Sequence, residues 1–350
     1  MSNVANVIAL DLMGSDRGPN ELMEGALLAL SQPAFSSHLV LVGNEAMIVP
    51  FLKAKGLEGD KRLSIHPALD VIGMDEKPVQ SLKKKEASMV KGLELVKSGQ
   101  AHALLSCGNT GSLMAGGMIK LRPMDGIDRP ALASVIPTQK NCFILIDAGA
   151  NPEAEAHNLL QNAFLGSHYA EVILKKTKPK VCLLTIGTEE GKGTTCVNQA
   201  HSLLKQMNGL LNYGGLIEGF SLFDGEVDVV VCDGFVGNIL LKSWESVFVN
   251  MKDFIKEELM KNVWRKLGAF LSQGAFKEVK QRLSPECYGG APLLGLKATV
   301  MKAHGSSNRH AIMHALKITQ DVLRYNLNEH IQSSIQEANL TLNQGNIPLS

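Results

Sequence analysis

Six apolar runs of the sequence end in loops that are rich in glycine, aspartate, asparagine and lysine. These loops are DLMGSD at 11–16, SCGNTG at 106–111, DAGAN at 147–151, GTEEGKG at 187–193, DGFVGN at 233–238 and HGSSN at 304–308. Glycines let backbone N–H groups approach a phosphate, and the polar side chains add charge and hydrogen bonds. One such loop is explained by a helix cap or a tight turn, but six together predict an anion-binding site.

The apolar runs before these loops predict the elements that position them. They are Val7 to Leu10, Leu39 to Val42, Ala103 to Leu105, Leu132 to Ile136, Phe143 to Ile146, Val181 to Ile186, Val227 to Val231 and Ala298 to Met301. Continuous hydrophobicity is typical of strands that are buried on both faces, and helical periodicity follows most runs. The chain is therefore predicted to be an α/β protein with a mainly parallel sheet. The carboxyl ends of parallel strands share one edge, so we expect the six loops to meet there.

Composition excludes several classes of protein. The 350 residues are 45% hydrophobic and 20% charged, and their formal net charge is +1, so the basic footprint of a nucleic-acid-binding protein is missing. No basic segment precedes the apolar run at the N-terminus, and no apolar stretch approaches a membrane span in length. The six cysteines form no CxxC pair, which is typical of a reducing compartment. We expect a cytoplasmic protein that meets a membrane only at its surface.

Familiar cofactor motifs are absent from the sequence. No strand is followed by GxGxxG, and GTEEGKG has neither the spacing nor the final Ser or Thr of a phosphate-binding P-loop. The loop aspartates lack the spacing of metal ligands, and the run from Asp224 to Asp228 is interpreted as a solvated turn. We therefore expect no NAD, no ATP and no metal.

The loops resemble, in order, those of the phosphate acyltransferase (PlsX) family of phospholipid synthesis. The matching segments are ALDLMGSDRGP, KKKEASM, SCGNTGSLMAGG, IDRPAL, DAGAN, GTEEGKG, VCDGFVGNILLK and GAPLLGLKATVMKAHGSSN, which run from residue 9 to residue 308. The resemblance implies a three-layer α/β/α fold similar to phosphotransacetylase and the isopropylmalate dehydrogenase group. It also implies a homodimer, peripheral membrane association, and transfer of an acyl group from acyl carrier protein to inorganic phosphate.

Three side chains are candidates for catalysis of that reaction. Lys192 lies among glycines and can bring its ammonium to a phosphate or a developing oxyanion, and Asn238 can donate to an oxyanion without adding charge. His304 can donate to phosphate or protonate a leaving thiolate. The alternatives are a solvated loop lysine, an N-cap asparagine and a structural histidine.

The other loop residues are expected to bind substrate or to shape the anion pocket. They are Asp11, Gly14, Asn109, Thr110, Gly111, Asp147, Gly149, Asn151, Gly187, Asp233, Gly234, Gly237, Gly305 and Ser306. Carboxylates facing a phosphate would repel it, so the aspartates are expected to hold loops, and Asn151 is also a candidate helix cap. Cys107 offers a rival route through a covalent thioester.

Residues 244–283 stand apart from the α/β pattern, within what is expected to be one domain over residues 1–350 that could be bilobed. Their helical spacing predicts a hairpin that mediates dimer contacts along its apolar stripe. Between Lys261 and Leu283 there are six basic residues and one acidic residue, a local charge of +5. Predicted contacts to an acidic partner or an anionic membrane are Lys261, Trp264, Arg265, Lys266, Leu267 and Phe270. The alternative is an ordinary helical bundle with solvated lysines. Two rival functions remain: an acyl-CoA-dependent enzyme, and a non-catalytic scaffold for lipid synthesis.

Overall fold

A computed structural model of the chain describes residues 6–189, 191–283 and 289–344. Its strands are β1 (Val7–Asp11), β2 (His38–Gly43), β3 (Leu63–Pro67), β4 (Ala103–Ser106), β5 (Ala131–Pro137), β6 (Cys142–Ile146), β7 (Val181–Thr185), β8 (Tyr213–Glu218), β9 (Val229–Val231), β10 (Ala291–Leu294) and β11 (Thr299–Lys302). They form one sheet in the order β3-β2-β1-β4-β11-β10-β5-β6-β9-β7-β8.

Most neighbouring strands of this sheet are parallel, as predicted. The exceptions lie in the middle, where β10 is antiparallel to both β11 and β5, and β5 is antiparallel to β6. These three reversals leave β6, β9, β7 and β8 running opposite to β1, β2, β3, β4 and β11. The expectation that all six loops share one edge is therefore wrong. The loops after β1, β4 and β11 lie at one edge, and those after β6, β7 and β9 lie at the opposite edge.

Helices cover both faces of the sheet. They are α1 (Pro19–Leu30), α2 (Glu45–Ala54), α3 (Pro78–Ser81), α4 (Ser88–Lys97), α5 (Thr110–Gly116), α6 (Ala156–Leu174), α7 (Thr195–Gln206), α8 (Gly234–Leu259), α9 (Val263–Leu271), α10 (Gln273–Leu283), α11 (Arg309–Arg324) and α12 (Leu327–Gln344). A π-helical turn, Gly117–Leu121, continues α5, and a 3₁₀ turn, Gly219–Phe223, follows β8.

The buried strands send alternate side chains to opposite layers, which explains their continuous hydrophobicity. In β6, for example, Leu145 packs into the core beneath α4 and the first turns of α8, whereas Ile144 packs into the core shared with α6 and α12. A third cluster, between the first strands and helices α1 and α11, contains Ile8 and Leu10 of β1. The predicted three-layer α/β/α architecture is confirmed.

Three strands were missed by the hydrophobic pattern because each is short or only partly buried. β3 alternates in exposure at the edge of the sheet, β8 contains two glycines, and β10 is a four-residue segment with a proline. Their sequences therefore lack the long apolar run that identifies a central strand.

Two helix predictions need correction or refinement. Asn151 does not cap a helix, because α6 begins at Ala156 and the cap is Glu155. Residues 244–283 are helical as predicted, although α8 already begins at Gly234 and the second half is split into α9 and α10. Their hairpin arrangement and the single-domain assignment stay predictions.

Candidate functional site

The loops after β1, β4 and β11 form what we call the first loop cluster, which is centred on Asp11. This carboxylate is buried and accepts hydrogen bonds from the hydroxyl groups of Ser88 and Ser106, both at 2.6 Å. It also accepts from the backbone N–H of Met13 at 3.1 Å. Asp11 therefore ties the loop after β1 to the end of β4 and to the start of α4.

Close backbone contacts complete the first loop cluster. A Cβ atom at Gly14 would lie 2.7 Å from the Cα of Gly108, so the loops after β1 and β4 can pack together only without that side chain. The Asn109 side chain caps α5 through the Ser112 N–H at 2.9 Å and donates to the Met74 carbonyl at 2.7 Å. Asn109 thereby fixes the loop at 73–76 over the start of α5, where Thr110 is exposed.

The loop after β11 closes the same cluster. The Gly305 carbonyl accepts from the backbone N–H of Asp16 at 2.9 Å, and the Arg17 guanidinium donates to the Ser306 carbonyl at 2.5 Å. His304 is exposed, and its Nδ1 lies 2.8 Å from the Ser306 hydroxyl. The structure thus brings His304 beside the loops that Asp11 holds.

Two further residues of the first loop cluster could take part in the reaction: Cys107, the candidate for a covalent route, and Lys302, which was not predicted from the sequence. Cys107 is fully buried, and burial raises the pKa of its thiol to about 12. A nucleophilic cysteine needs a lowered pKa, so the covalent route through Cys107 is disfavoured. The second residue is Lys302 at the end of β11, whose ammonium donates to the Cys107 carbonyl at 3.2 Å.

The loops after β6 and β9 form the second loop cluster, which is centred on Asp147. Its buried carboxylate accepts from the backbone N–H groups of Leu132, Gly149, Ala150 and Asn151 at 2.7–3.1 Å. It also accepts from the Asn151 amide at 3.0 Å. Burial raises the pKa of Asp147, and the backbone donors oppose that rise. Asp147 therefore holds its own loop in place.

The start of α8 packs tightly against this loop. Asp233 caps the helix by accepting from the Val236 N–H at 2.9 Å. A Cβ atom at Gly237 would collide with the Asp147 carbonyl, and one at Gly234 would lie 2.7 Å from the Asn151 nitrogen. The glycines therefore allow a close approach that places the exposed Asn238 side chain next to Gly149.

Lys192 lies in the neighbouring loop after β7. Its ammonium forms an ion pair with Glu189 at 2.8 Å, and both side chains are exposed. The Glu189 carboxylate raises the pKa of the Lys192 ammonium, which is therefore charged at neutral pH. Gly187 lies directly beneath the aliphatic part of this lysine.

Helix α8 connects the two loop clusters even though they lie at opposite edges of the sheet. Asn238 and Lys242 are four residues apart and therefore lie on one face of the helix. Asn238 lies against Gly149, and Lys242, which forms an ion pair with Glu245 at 2.8 Å, is near enough to Lys302 of the first loop cluster to disfavour its charge. The first turns of α8 thus form a wall that reaches from one cluster to the other.

Comparison with known proteins identifies the family in which this loop pattern occurs. Residues 6–330 match the model of a family described as "Fatty acid synthesis protein". Proteins named phosphate acyltransferase from Thermoanaerobacter pseudethanolicus and Alkaliphilus oremlandii are each 42% identical to the chain, over 94% of its length and 97% of theirs. The chain belongs to the phosphate acyltransferase family. It is accordingly an acyltransferase of fatty acid and lipid synthesis, as the loops predicted.

Solved structures place this phosphate acyltransferase in the predicted fold group. A phosphotransacetylase from Streptococcus pyogenes superposes with a TM-score of 0.61 at 16% identity, covering 91% of this chain and 94% of that one. A branched-chain phosphotransacylase from Enterococcus faecalis gives a TM-score of 0.55 at 16% identity, covering 90% and 99%. At this identity the likeness establishes the fold alone.

Neither a metal site nor a membrane span was found in the described part of this phosphate acyltransferase. Within those residues, no three His, Cys, Asp or Glu side chains converge in a way that could hold a metal ion. No helix among them combines the length and the apolar character needed to cross a bilayer.

The predicted contact residues of this family member lie on α9 and the turn before it. Trp264 is 82% exposed and Phe270 is 65% exposed, and Leu267 lies on the same helix. Lys261 and Arg265 both form ion pairs with Glu258 at the end of α8, whereas no ion pair involves Lys266 within the described residues. The local positive charge is therefore smaller than the sequence count suggests. The side chains of residues 280–283 lie outside the described part.

Proposed function

We propose that the chain transfers a fatty acyl group from acyl carrier protein to inorganic phosphate, giving acyl phosphate for phosphatidic acid and phospholipid synthesis. The observation that carries this proposal is the 42% identity to named phosphate acyltransferases over 94% of the chain. The loop clusters support it, because they supply cations and amide donors. Phosphate itself is the nucleophile in this reaction, so the protein does not have to supply one. The proposed location is the cytoplasm and the inner face of the membrane.

The reaction requires positioning and charge stabilisation rather than a covalent intermediate. A phosphate oxygen attacks the thioester carbonyl carbon, and the carbonyl oxygen becomes an oxyanion. The carbon–sulfur bond then breaks, its electron pair leaves with the sulfur, and the thiolate takes up a proton. Fixed hydrogen-bond donors and effective concentration supply most of the rate in such reactions.

Three side chains are proposed to act on the reacting groups. Lys192 would exchange its exposed partner Glu189 for the phosphate or the oxyanion, since the pair is open to solvent. Asn238 would donate to the oxyanion from the wall formed by α8. His304 would deliver the proton to the leaving sulfur. Other loop residues of the prediction, among them Thr110, Gly111 and Gly187, would line the substrates.

The exposed apolar face of α8 and α9 supports contacts with other molecules. Large exposed apolar side chains on one surface indicate an interface. On α8 they include Val247, Met251 and Phe254, and on α9 they include Trp264 and Leu271. We assign the α8 part to a homodimer. The α9 part, with Lys266 beside it, is assigned to acyl carrier protein or an anionic membrane, both of which attract cations.

A substrate comparison tests the proposed donor. Purified protein is incubated with labelled phosphate and either palmitoyl-ACP or palmitoyl-CoA, and acyl phosphate is quantified. We expect kcat/KM to be higher for palmitoyl-ACP. A higher value for palmitoyl-CoA would support the phosphotransacetylase-like alternative, and no label transfer by folded protein would contradict both.

The proposed surface contact has its own test. Lys266→Glu is compared with Lys261→Glu, whose wild-type lysine already pairs with Glu258. We expect Lys266→Glu to weaken binding to anionic vesicles or raise the KM for acyl-ACP, and a rising salt concentration to do the same to wild-type protein. If neither the variants nor salt change vesicle binding or the KM for acyl-ACP, α9 has only a structural role.

A further inference from the structure

Lys302 is a lysine whose surroundings are unusual for a structural cation. It ends β11 at the first loop cluster and is only partly exposed. Its ammonium donates to the carbonyls of Cys107 and Ala303. Among the described residues no carboxylate lies within ion-pair distance of it. A cation removed from water without an anionic partner is costly, and the group is usually paired or binds a ligand.

Burial disfavours the charged form of Lys302, and the charges around it come from two other elements. The carboxylates of Asp11 and Asp16 after β1 act on it from a distance and stabilise its charged form, whereas Lys242 of α8 opposes it. Both oxygens of Asp11 already accept hydrogen bonds from serine hydroxyls. Within the described residues neither Asp11 nor Asp16 forms an ion pair with Lys302, so the nearby carboxylates do not supply the missing partner.

The donor geometry leaves room for an anion. An ammonium has three N–H donors, and the two carbonyls of Cys107 and Ala303 fix the direction of the lysine side chain. One donor stays available. Lys242 of α8 also acts on Lys302, but its own ammonium is paired with Glu245 at 2.8 Å, whereas Lys302 has no anionic partner within the described residues.

We propose that Lys302 binds the inorganic phosphate acceptor. The inference rests on the proposed function, in which phosphate attacks the thioester. In this proposal the two residues have different roles. Lys302 positions the attacking phosphate, and Asn238 of α8 donates to the oxyanion. Carbonyl contacts hold the lysine before phosphate arrives, so little side-chain entropy is lost on binding.

Kinetics of a charge-removing variant test the proposal. Lys302→Met keeps most of the side-chain length and removes the charge. Loss of a charged hydrogen bond should raise the KM for phosphate by roughly 10- to 100-fold, while the KM for acyl-ACP changes by less than about 3-fold. The matched control is Lys297→Met, because Lys297 lies just before the same strand and pairs with the exposed Asp125. It should leave both values unchanged.

Direct binding separates failure of this inference from failure of the proposed function. Phosphate should raise the Tm of wild-type protein and of Lys297→Met, but not that of Lys302→Met. This measurement needs no acyl donor. If phosphate stabilises wild-type protein but no acyl phosphate forms, the proposed reaction fails and the site stands. If Lys302→Met keeps the wild-type phosphate KM and Tm shift, Lys302 is a structural lysine and the inference is overturned.

Two further measurements apply if Lys302→Met does not fold. Lys302→Arg keeps the charge and should retain a measurable Tm shift with phosphate. In wild-type protein, burial lowers the pKa of the Lys302 ammonium from its ordinary value of 10.5, with Lys242 acting in the same direction. Stabilisation by phosphate should therefore decline with rising pH before that value is reached. Stabilisation that stays constant through pH 10.5 would contradict a role for this ammonium.

Discussion

The two loop clusters use the same kind of residue, an aspartate at the end of a strand, but they differ in their lysines. Asp11 and Asp147 are both buried. Asp11 accepts hydrogen bonds from Ser88 and Ser106 on other elements, whereas Asp147 accepts them mainly from backbone N–H groups of its own loop. Lys302 of the first cluster is held by carbonyls without an ion pair in the described structure, whereas Lys192 beside the second is exposed and paired with Glu189. Both aspartates hold loops, and the two lysines are the groups that we propose for binding the substrates.

The largest effect is expected from removing the aspartate of the second cluster. Asp147→Ala would leave four backbone N–H groups, three of them buried, without their acceptor, and we expect a loss of about 3 kcal/mol or more in the free energy of unfolding. Urea denaturation measures it. Asp233→Ala is the matched variant, because it removes only the cap of α8 and should cost about 1 kcal/mol. Equal losses would show that Asp147 has no special share in the fold.

Lys192→Ala tests the exposed lysine of the same region. Loss of one phosphate or oxyanion donor commonly lowers kcat by about 100-fold. The Tm should stay almost unchanged, because an exposed ion pair contributes little to stability. The control is Glu189→Gln, which removes the partner but keeps the lysine and should retain most of the activity. Wild-type kinetics in Lys192→Ala would remove this residue from the mechanism.

Asn238→Ala should have a smaller effect of the same kind. The amide is uncharged, so a loss of roughly 10-fold in kcat is expected, with the Tm preserved because the side chain is exposed. Steady-state kinetics and thermal unfolding are measured on the same preparation. An activity loss that is matched by unfolding would mean that Asn238 only supports the start of α8.

The smallest effect is expected from Cys107→Ser in the first cluster. A thiol with a pKa of about 12 is protonated at neutral pH, so a covalent intermediate is disfavoured. We expect kcat within about 3-fold of wild type, with stability reduced by burial of the new hydroxyl. Loss of activity in folded Cys107→Ser, together with an acyl group trapped on the wild-type cysteine, would restore the covalent route.

The sequence predicted the strands and the loop motifs better than it predicted where the loops lie on the sheet. Continuous apolar runs identified most central strands, and the loop motifs identified the family. The position of the loops could not be predicted, because hydrophobic runs do not show the direction in which strands pair. β10 is antiparallel to both neighbours and leaves β5 parallel to β11, and it is the antiparallel pairing of β5 with β6 that reverses the second half of the sheet. Lys302 was missed because a lysine after a strand resembles a solvated residue until its neighbours are known. The signal that could have found it was its place in the KATVMKAHG motif.

Isotope tracing of the phosphate oxygens tests the central claim most directly. The protein is incubated with palmitoyl-ACP and phosphate that carries oxygen-18 in every position, and the products are analysed by mass spectrometry. The account predicts palmitoyl phosphate that retains all the labelled oxygens, and one free ACP thiol for each molecule formed. Release of free palmitate without acyl phosphate, or an acyl phosphate that has lost label, would contradict direct attack of phosphate on the thioester.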